Sequence, residues 1–148
     1  MRMTTNLKLN ILFVDDDPDE LMIFQDAVSD SDQEYEVTHV LNCDELEAYL
    51  ASEKPLPDVV FLDINMPGVN GMDCLKIIRK NSRFTEIPIF MYSTSSNRQH
   101  IDQSRSSGAD LYIIKQSSFE KTRSIFRTVF STLRQRSLAG LRERFIIS

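Results

Sequence analysis

Residues 10–18 read Asn10-Ile11-Leu12-Phe13-Val14-Asp15-Asp16-Asp17-Pro18, an apolar run that passes directly into three acids and a proline. A short apolar run of this kind, bounded by polar residues, is the mark of a buried strand. Pro18 suits the first turn of a helix, because its missing N–H is one that the helix leaves unpaired anyway. Leu21, Phe24 and Val28 follow at spacings of three and four, as one apolar helix face requires. The stretch therefore encodes a strand, an acidic turn and a helix.

Outward from this unit the pattern recurs. Tyr35 to Val40 reads as a second strand, Asn42 as a helix cap, and Leu46, Tyr49 and Leu50 as the inner face of a short helix. Val59 to Leu62 forms the third apolar run. Pro67-Gly68 suits a tight turn, and Gly71 precedes a helix marked by Leu75 and Ile78. Ile87 to Tyr92 and Leu111 to Ile114 supply strands four and five, and Ser117-Ser118-Phe119-Glu120 has the pattern of a capping box before a long helix carrying Ile125, Val129 and Leu133 inward. Strands alternating with helices predict an α/β domain with a parallel sheet and helices on both faces. Between strands four and five, Asn97 to Gly108 holds Ile101 and little else that is apolar, so its helix can bury little.

The chain has 148 residues, 41% of them hydrophobic and 26% charged, which fits one globular domain. No stretch approaches the roughly 20 apolar residues of a membrane-spanning helix, and the N-terminus has no signal-peptide core, so a cytoplasmic location is expected. A net charge of −5 disfavours general nucleic-acid binding. The basic residues Arg134, Arg136, Arg142 and Arg144 read as a solvated helix face. Cys43 and Cys74 lie in no metal-type spacing and are expected to be free buried thiols.

Asp15, Asp16 and Asp17 follow strand one, and Asp63 follows strand three. In the doubly wound order 2-1-3-4-5 those strands are neighbours, and their carboxyl ends flank the point where such sheets bind ligands. Crowded carboxylates repel one another unless a cation lies among them. An all-oxygen set that leaves room for waters and a phosphate oxygen suits Mg2+. Taken alone, the acidic run reads better as a solvated charge run with Asp17 capping the first helix. Ser93 and Lys115, which end strands four and five, bring a hydroxyl and an ammonium to the same edge. Together these groups match what phosphoryl transfer needs: a carboxylate nucleophile, a metal, and donors for the phosphoryl oxygens.

With these motifs in place, the chain from about Lys8 to about Arg134 resembles the receiver domain of two-component response regulators. The resemblance rests on Ile11 to Pro18, on Phe61-Leu62-Asp63-Ile64-Asn65-Met66-Pro67 with Gly71, on Ser93 and on Lys115. It implies a five-stranded, flavodoxin-like sheet and a stand-alone switch that catalyses only its own phosphorylation and dephosphorylation. Asp63 would be the phosphoacceptor. Mg2+ would be held by Asp16, Asp63 and the Asn65 backbone carbonyl, with Asp15 acting through a water. Lys115 would pair with the phosphoryl group, Ser93 would hydrogen-bond it, and Tyr112 would be the switch aromatic. The implied partners are a sensor histidine kinase or histidine phosphotransfer protein and a downstream protein target that meets helix four, strand five and helix five. Neither DNA nor membrane binding is expected, and the chain would be a monomer or weak homodimer.

Two departures accompany the resemblance. Gln116 stands where the family usually has a proline joined by a cis peptide; a cis bond to a non-proline costs roughly 2.5 to 4 kcal/mol, so a trans bond is expected. Thr94 occupies a position where a smaller residue is common. The receiver is expected over residues 8–134, with 135–148 as a helical extension or packed tail bearing Leu138, Leu141, Phe145, Ile146 and Ile147 and no output domain. Other readings are a phosphorelay intermediate, a phosphate sink or an unphosphorylated adaptor. A phosphatase using Asp15 as nucleophile lacks a matching late acidic pair, and a flavin or nucleotide site would be repelled by Asp15 to Glu20.

Overall fold

A computed structural model describes residues 8–66, 70–135 and 138–148. The elements run β1 (Leu9–Val14), α1 (Pro18–Val28), β2 (Tyr35–Val40), α2 (Cys43–Ala51), β3 (Val59–Asp63), α3 (Gly71–Lys80), β4 (Ile89–Ser93), α4 (Arg98–Ser106), β5 (Leu111–Ile114), α5 (Phe119–Gln135), α6 (Leu138–Arg144) and β6 (Ile146–Ile147), with a 3-10 turn at Ser82–Phe84. The sheet is parallel throughout, in the order β2-β1-β3-β4-β5-β6. The expected order of the first five strands holds, but the described residues form six strands.

Alternation along the strands sorts the core into two layers. Leu12, Val14, Val60, Leu62 and Met91 face α2, α3 and α4, where Leu46, Leu75, Ile78 and Ile101 meet them. Ile11, Phe13, Phe61, Phe90 and Tyr92 face α1 and α5, and there the packing is aromatic: Phe24 and Phe126 lie 5.4 Å apart in a T-shaped pair, and Phe24 lies 5.0 Å from Phe61. Such edge-to-face contacts add to the burial of apolar area.

The helix starts follow from local chemistry. Asp17 Oδ1 accepts from Asp19 N at 2.9 Å, and Asn42 Oδ1 from Glu45 N at 2.8 Å. At α5 the cap is Ser118, whose Oγ accepts from Lys121 N at 3.3 Å, so the expected box pairing Ser117 with Glu120 is not the one formed. Strand four starts at Ile89, two residues after the expected Ile87, because the Ile87 carbonyl is taken by Arg79 Nη1 at 2.8 Å. The proposed turn at Pro67-Gly68 lies outside the described residues.

Cys43 and Cys74 are joined in a disulfide, against the expectation of free thiols, with their Cα atoms 5.8 Å apart. Their separation of 31 residues carries no motif. Packing of α2 against α3 on one face of the sheet brings them together.

The C-terminal segment folds back on the sheet. Phe145, in the left-handed region at φ 62°, turns the chain from α6 into β6, and its carbonyl accepts from Tyr112 N at 2.7 Å. Asp110 anchors the segment from below, taking Arg79 Nη2 on one oxygen and Arg142 Nε on the other, each at 2.9 Å. Leu141 and Ile147 enter one core layer and Phe145 the other. The tail thus closes the β5 edge, which a five-stranded sheet would leave open.

Candidate functional site

Strands β1 and β3 are in register from Ile11 opposite Val59 to Val14 opposite Leu62, so Asp15 and Asp63 emerge side by side at the carboxyl edge. Carboxylate oxygens of Asp15, Asp16 and Asp63 all lie within 4.8 Å of one another. Asp15 and Asp63 are buried and Asp16 is exposed. Backbone amides brace two of them: Asp17 N donates to Asp15 Oδ1 at 2.8 Å, and Asn65 N donates to Asp63 Oδ1 at 3.0 Å. Gly71 is dictated by this edge, because a Cβ there would stand 2.1 Å from the Asp63 carbonyl oxygen and 2.6 Å from Ile64 Cα.

The other expected residues gather here too. Ser93 is fully buried at the end of β4, and its Oγ accepts from Asn65 Nδ2 and from Ser95 N, each at 3.1 Å. Lys115, at the end of β5, puts Nζ 3.8 Å from Asp63 Oδ1. Tyr112 is fully buried and donates its hydroxyl to the Ser95 carbonyl at 2.9 Å, tying β5 to the loop that leads into α4. The described residues contain no cis peptide bond, so Gln116 is trans as expected. Thr122 holds that loop, accepting from Gln116 N at 3.2 Å and donating to Gln116 O at 3.1 Å. Thr94 is exposed.

Three further side chains belong to the site and were not read from the sequence. Tyr92, fully buried, donates its hydroxyl to Asp15 Oδ2 and lays its ring 4.7 Å from Lys115 Nζ. His39 Nε2 donates to the Asp15 backbone carbonyl at 2.8 Å. Glu20, in the first turn of α1, places Oε1 3.2 Å from Lys115 Nζ, closer than Asp63 does. A tyrosine at the end of an apolar strand and an acid opening a helix both have commoner structural explanations, so neither residue type signals a site.

Burial sets the electrostatics. It pushes the Asp63 carboxyl up to about 6, against the opposing pull of Lys115 and of the Asn65 amide. Burial also raises Asp15, opposed by the Tyr92 and Asp17 hydrogen bonds. Tyr92 is held well above its ordinary value, again mainly by burial, so its phenol stays a donor. Around this pocket Asp15, Asp16, Asp63 and Glu20 gather, and among the described residues Lys115 supplies the ammonium paired with Asp63 and Glu20. Clustered, partly buried carboxylates short of positive charge are the donor set of a hard divalent cation, and Mg2+ fits the oxygen-only ligands.

The arrangement defines a class: an acidic, cation-ready pocket at the switch point of a doubly wound parallel sheet. The model of the response regulator receiver domain family matches residues 11–127, and the chain belongs to that family. Chemotaxis protein CheY1 of Helicobacter pylori is 40% identical over 57 residues, which are 38% of this chain and 46% of that protein. A protein-glutamate methylesterase/protein-glutamine glutaminase of Pyrococcus abyssi is 37% identical over 89 residues, 60% of this chain and 23% of that protein. The chain thus spans less than half the length of these curated relatives. Among solved structures, the phosphorylated cyanobacterial phytochrome response regulator RcpA superposes with a TM-score of 0.80 at 27% identity, covering 85% of this chain and 94% of that one. The Mn(2+)-bound response regulator Rcp1 gives 0.79 at 22% identity over 84% and 94%, a likeness of fold. No described helix is long and apolar enough to cross a membrane.

Proposed function

We propose that this receiver is a phosphorylation-dependent signalling switch whose acceptor is Asp63. The observation that carries the reading is the convergence of Asp63 with Asp15, Asp16, Ser93 and Lys115 on one sheet edge. An Asp63 oxygen attacks the phosphorus of a phosphohistidine on a sensor kinase or phosphotransfer protein; the P–N bond breaks and the imidazole leaves with its electron pair. Asp16, Asp63 and the Asn65 carbonyl, with Asp15 through a water, would hold Mg2+, which would offset the charge of the carboxylates and phosphoryl oxygens. Lys115 and Ser93 bind the remaining phosphoryl oxygens. That RcpA was solved phosphorylated supports the same chemistry for this relative of it.

A phosphoryl group brings a charge of about −1.5 to −2 to this edge. Drawing Ser93 toward it disturbs the Asn65 and Ser95 hydrogen bonds, and Ser95 carries the carbonyl that Tyr112 holds. The surface of α4, β5 and α5 then changes its affinity for a protein partner. Residues 8–134 act as the receiver, residues 135–148 are its C-terminal extension, and the chain works in the cytoplasm as a monomer or weak homodimer. Incubation with acetyl phosphate tests this: intact mass should rise by one phosphoryl group in the presence of Mg2+, and not in Asp63→Asn. No adduct in the wild type, or an equal one in the variant, would overturn it.

A further inference from the structure

The Lys115 ammonium has two carboxylate partners, and the nearer is not the acceptor. Nζ lies 3.2 Å from Glu20 Oε1 and 3.8 Å from Asp63 Oδ1. The ring of Tyr92 closes a third side at 4.7 Å, and the Tyr92 hydroxyl is itself committed to Asp15, so the ammonium is confined between the two acids. Glu20 is no ordinary acid of a helix first turn. Its neighbour Asp19 is exposed and serves the helix N-terminus from the solvent side. Glu20 instead turns toward the sheet edge, its side chain 18% exposed, and its second oxygen, Oε2, is buried without a hydrogen-bond partner among the described residues. A buried carboxylate oxygen left unpaired makes the remaining pairing to Lys115 matter more.

We propose that Glu20 is a positioning residue that holds Lys115 away from the acceptor and so opposes retention of the phosphoryl group on Asp63. The inference rests on the reading of Asp63 as phosphoacceptor. When new anionic oxygens appear at Asp63, Lys115 can serve them only by giving up charge that now stabilises Glu20. Glu20 is then left buried with neither oxygen well paired, and it also repels the incoming anion. Both effects lower the affinity of the loaded pocket for a phosphoryl group and shorten its lifetime. Toward Mg2+ the sign is opposite, because the negative charge of Glu20 favours a nearby cation.

Full-length wild type, Glu20→Gln, Glu20→Asp, Lys115→Ala and Glu20→Gln/Lys115→Ala are titrated with Mg2+ alone, then with beryllofluoride at saturating Mg2+, by calorimetry. The glutamine is isosteric and removes only the charge; the aspartate keeps the charge and cannot reach Lys115. In Glu20→Gln, beryllofluoride should bind about tenfold tighter while Mg2+ binds no tighter than in the wild type. Glu20→Asp should move the same way by less, and most of the gain should vanish in the Lys115→Ala background. A residue with a merely structural role would weaken both ligands together. Unchanged or weaker beryllofluoride binding in Glu20→Gln overturns the proposal while leaving Asp63 as acceptor intact. An undiminished gain without Lys115 overturns the positioning role. A wild type that takes no beryllofluoride overturns the acceptor reading, and the role of Glu20 falls with it.

Discussion

At the scale of single residues, the site stores unfavourable burial at the atom assigned to react. Asp63 has a carboxyl raised to about 6 from 3.8, mainly by burial, so the folded protein holds its proton more tightly than the unfolded chain. The resulting stabilisation is fully present below about pH 4 and is lost as pH rises through about 6, amounting to about 3 kcal/mol by neutral pH. Asp63→Asn should therefore match the wild type at pH 4 and exceed it by up to about 3 kcal/mol at pH 7.5 in Mg2+-free buffer. Urea unfolding at the two pH values reads this, and equal midpoints at pH 7.5 would contradict it. Asp15, Asp63, Ser93 and Lys115 were legible beforehand because each directly follows an apolar run, with Asp16 next to Asp15, and parallel strands deliver such positions to one edge. Tyr92, His39 and Glu20 were not, since their roles depend on which side chain lies across the sheet rather than on neighbours in the chain. Two cysteines with no spacing motif hid their pairing for the same reason.

Among the elements, α4 and the tail stand at opposite ends of what the sequence could say. The polar composition of Asn97 to Gly108 foretold a weakly anchored helix, and α4 buries only Ile101 and Ser104, the latter donating to Met72 Sδ at 3.3 Å. The tail was open: its apolar residues allowed a helical extension or a packed tail, because two isoleucines carry too little pattern to show pairing with β5. Native-state hydrogen exchange separates these elements. Amides of α4 should exchange faster than those of α3, which buries five residues including Leu75 and Ile78. The Tyr112 amide, bonded to the Phe145 carbonyl, should be protected like an interior strand amide. Rapid exchange at Tyr112, or protection of α4 equal to that of α3, would contradict the packing described.

Across the whole molecule, the two faces of the sheet divide the labour. The α1 and α5 side is an aromatic block in which Phe13, Phe24, Phe61, Tyr92 and Phe126 interlock, and it supports the acidic edge from below. The opposite side carries α4, with its few buried residues, and Tyr112, joined through Ser95 to the Ser93 end of β4. A charge change at one edge thus has a rigid wall on one side and a yielding element on the other. Helices on both faces and the sparse core of α4 were readable from the sequence; the aromatic packing of the other face and the closing of the β5 edge were not, since the latter depends on a turn at Phe145 and on the Asp110 anchor. In the proposed switch Asp63, and no other acid in the cluster, carries the phosphoryl group. Treating the acetyl phosphate reaction with borohydride converts an aspartyl phosphate to homoserine, and tandem mass spectrometry then locates it. Homoserine should appear at position 63 alone and only when Mg2+ was present; homoserine at position 15 or 16, or an unmodified chain, would rule out Asp63 as the acceptor.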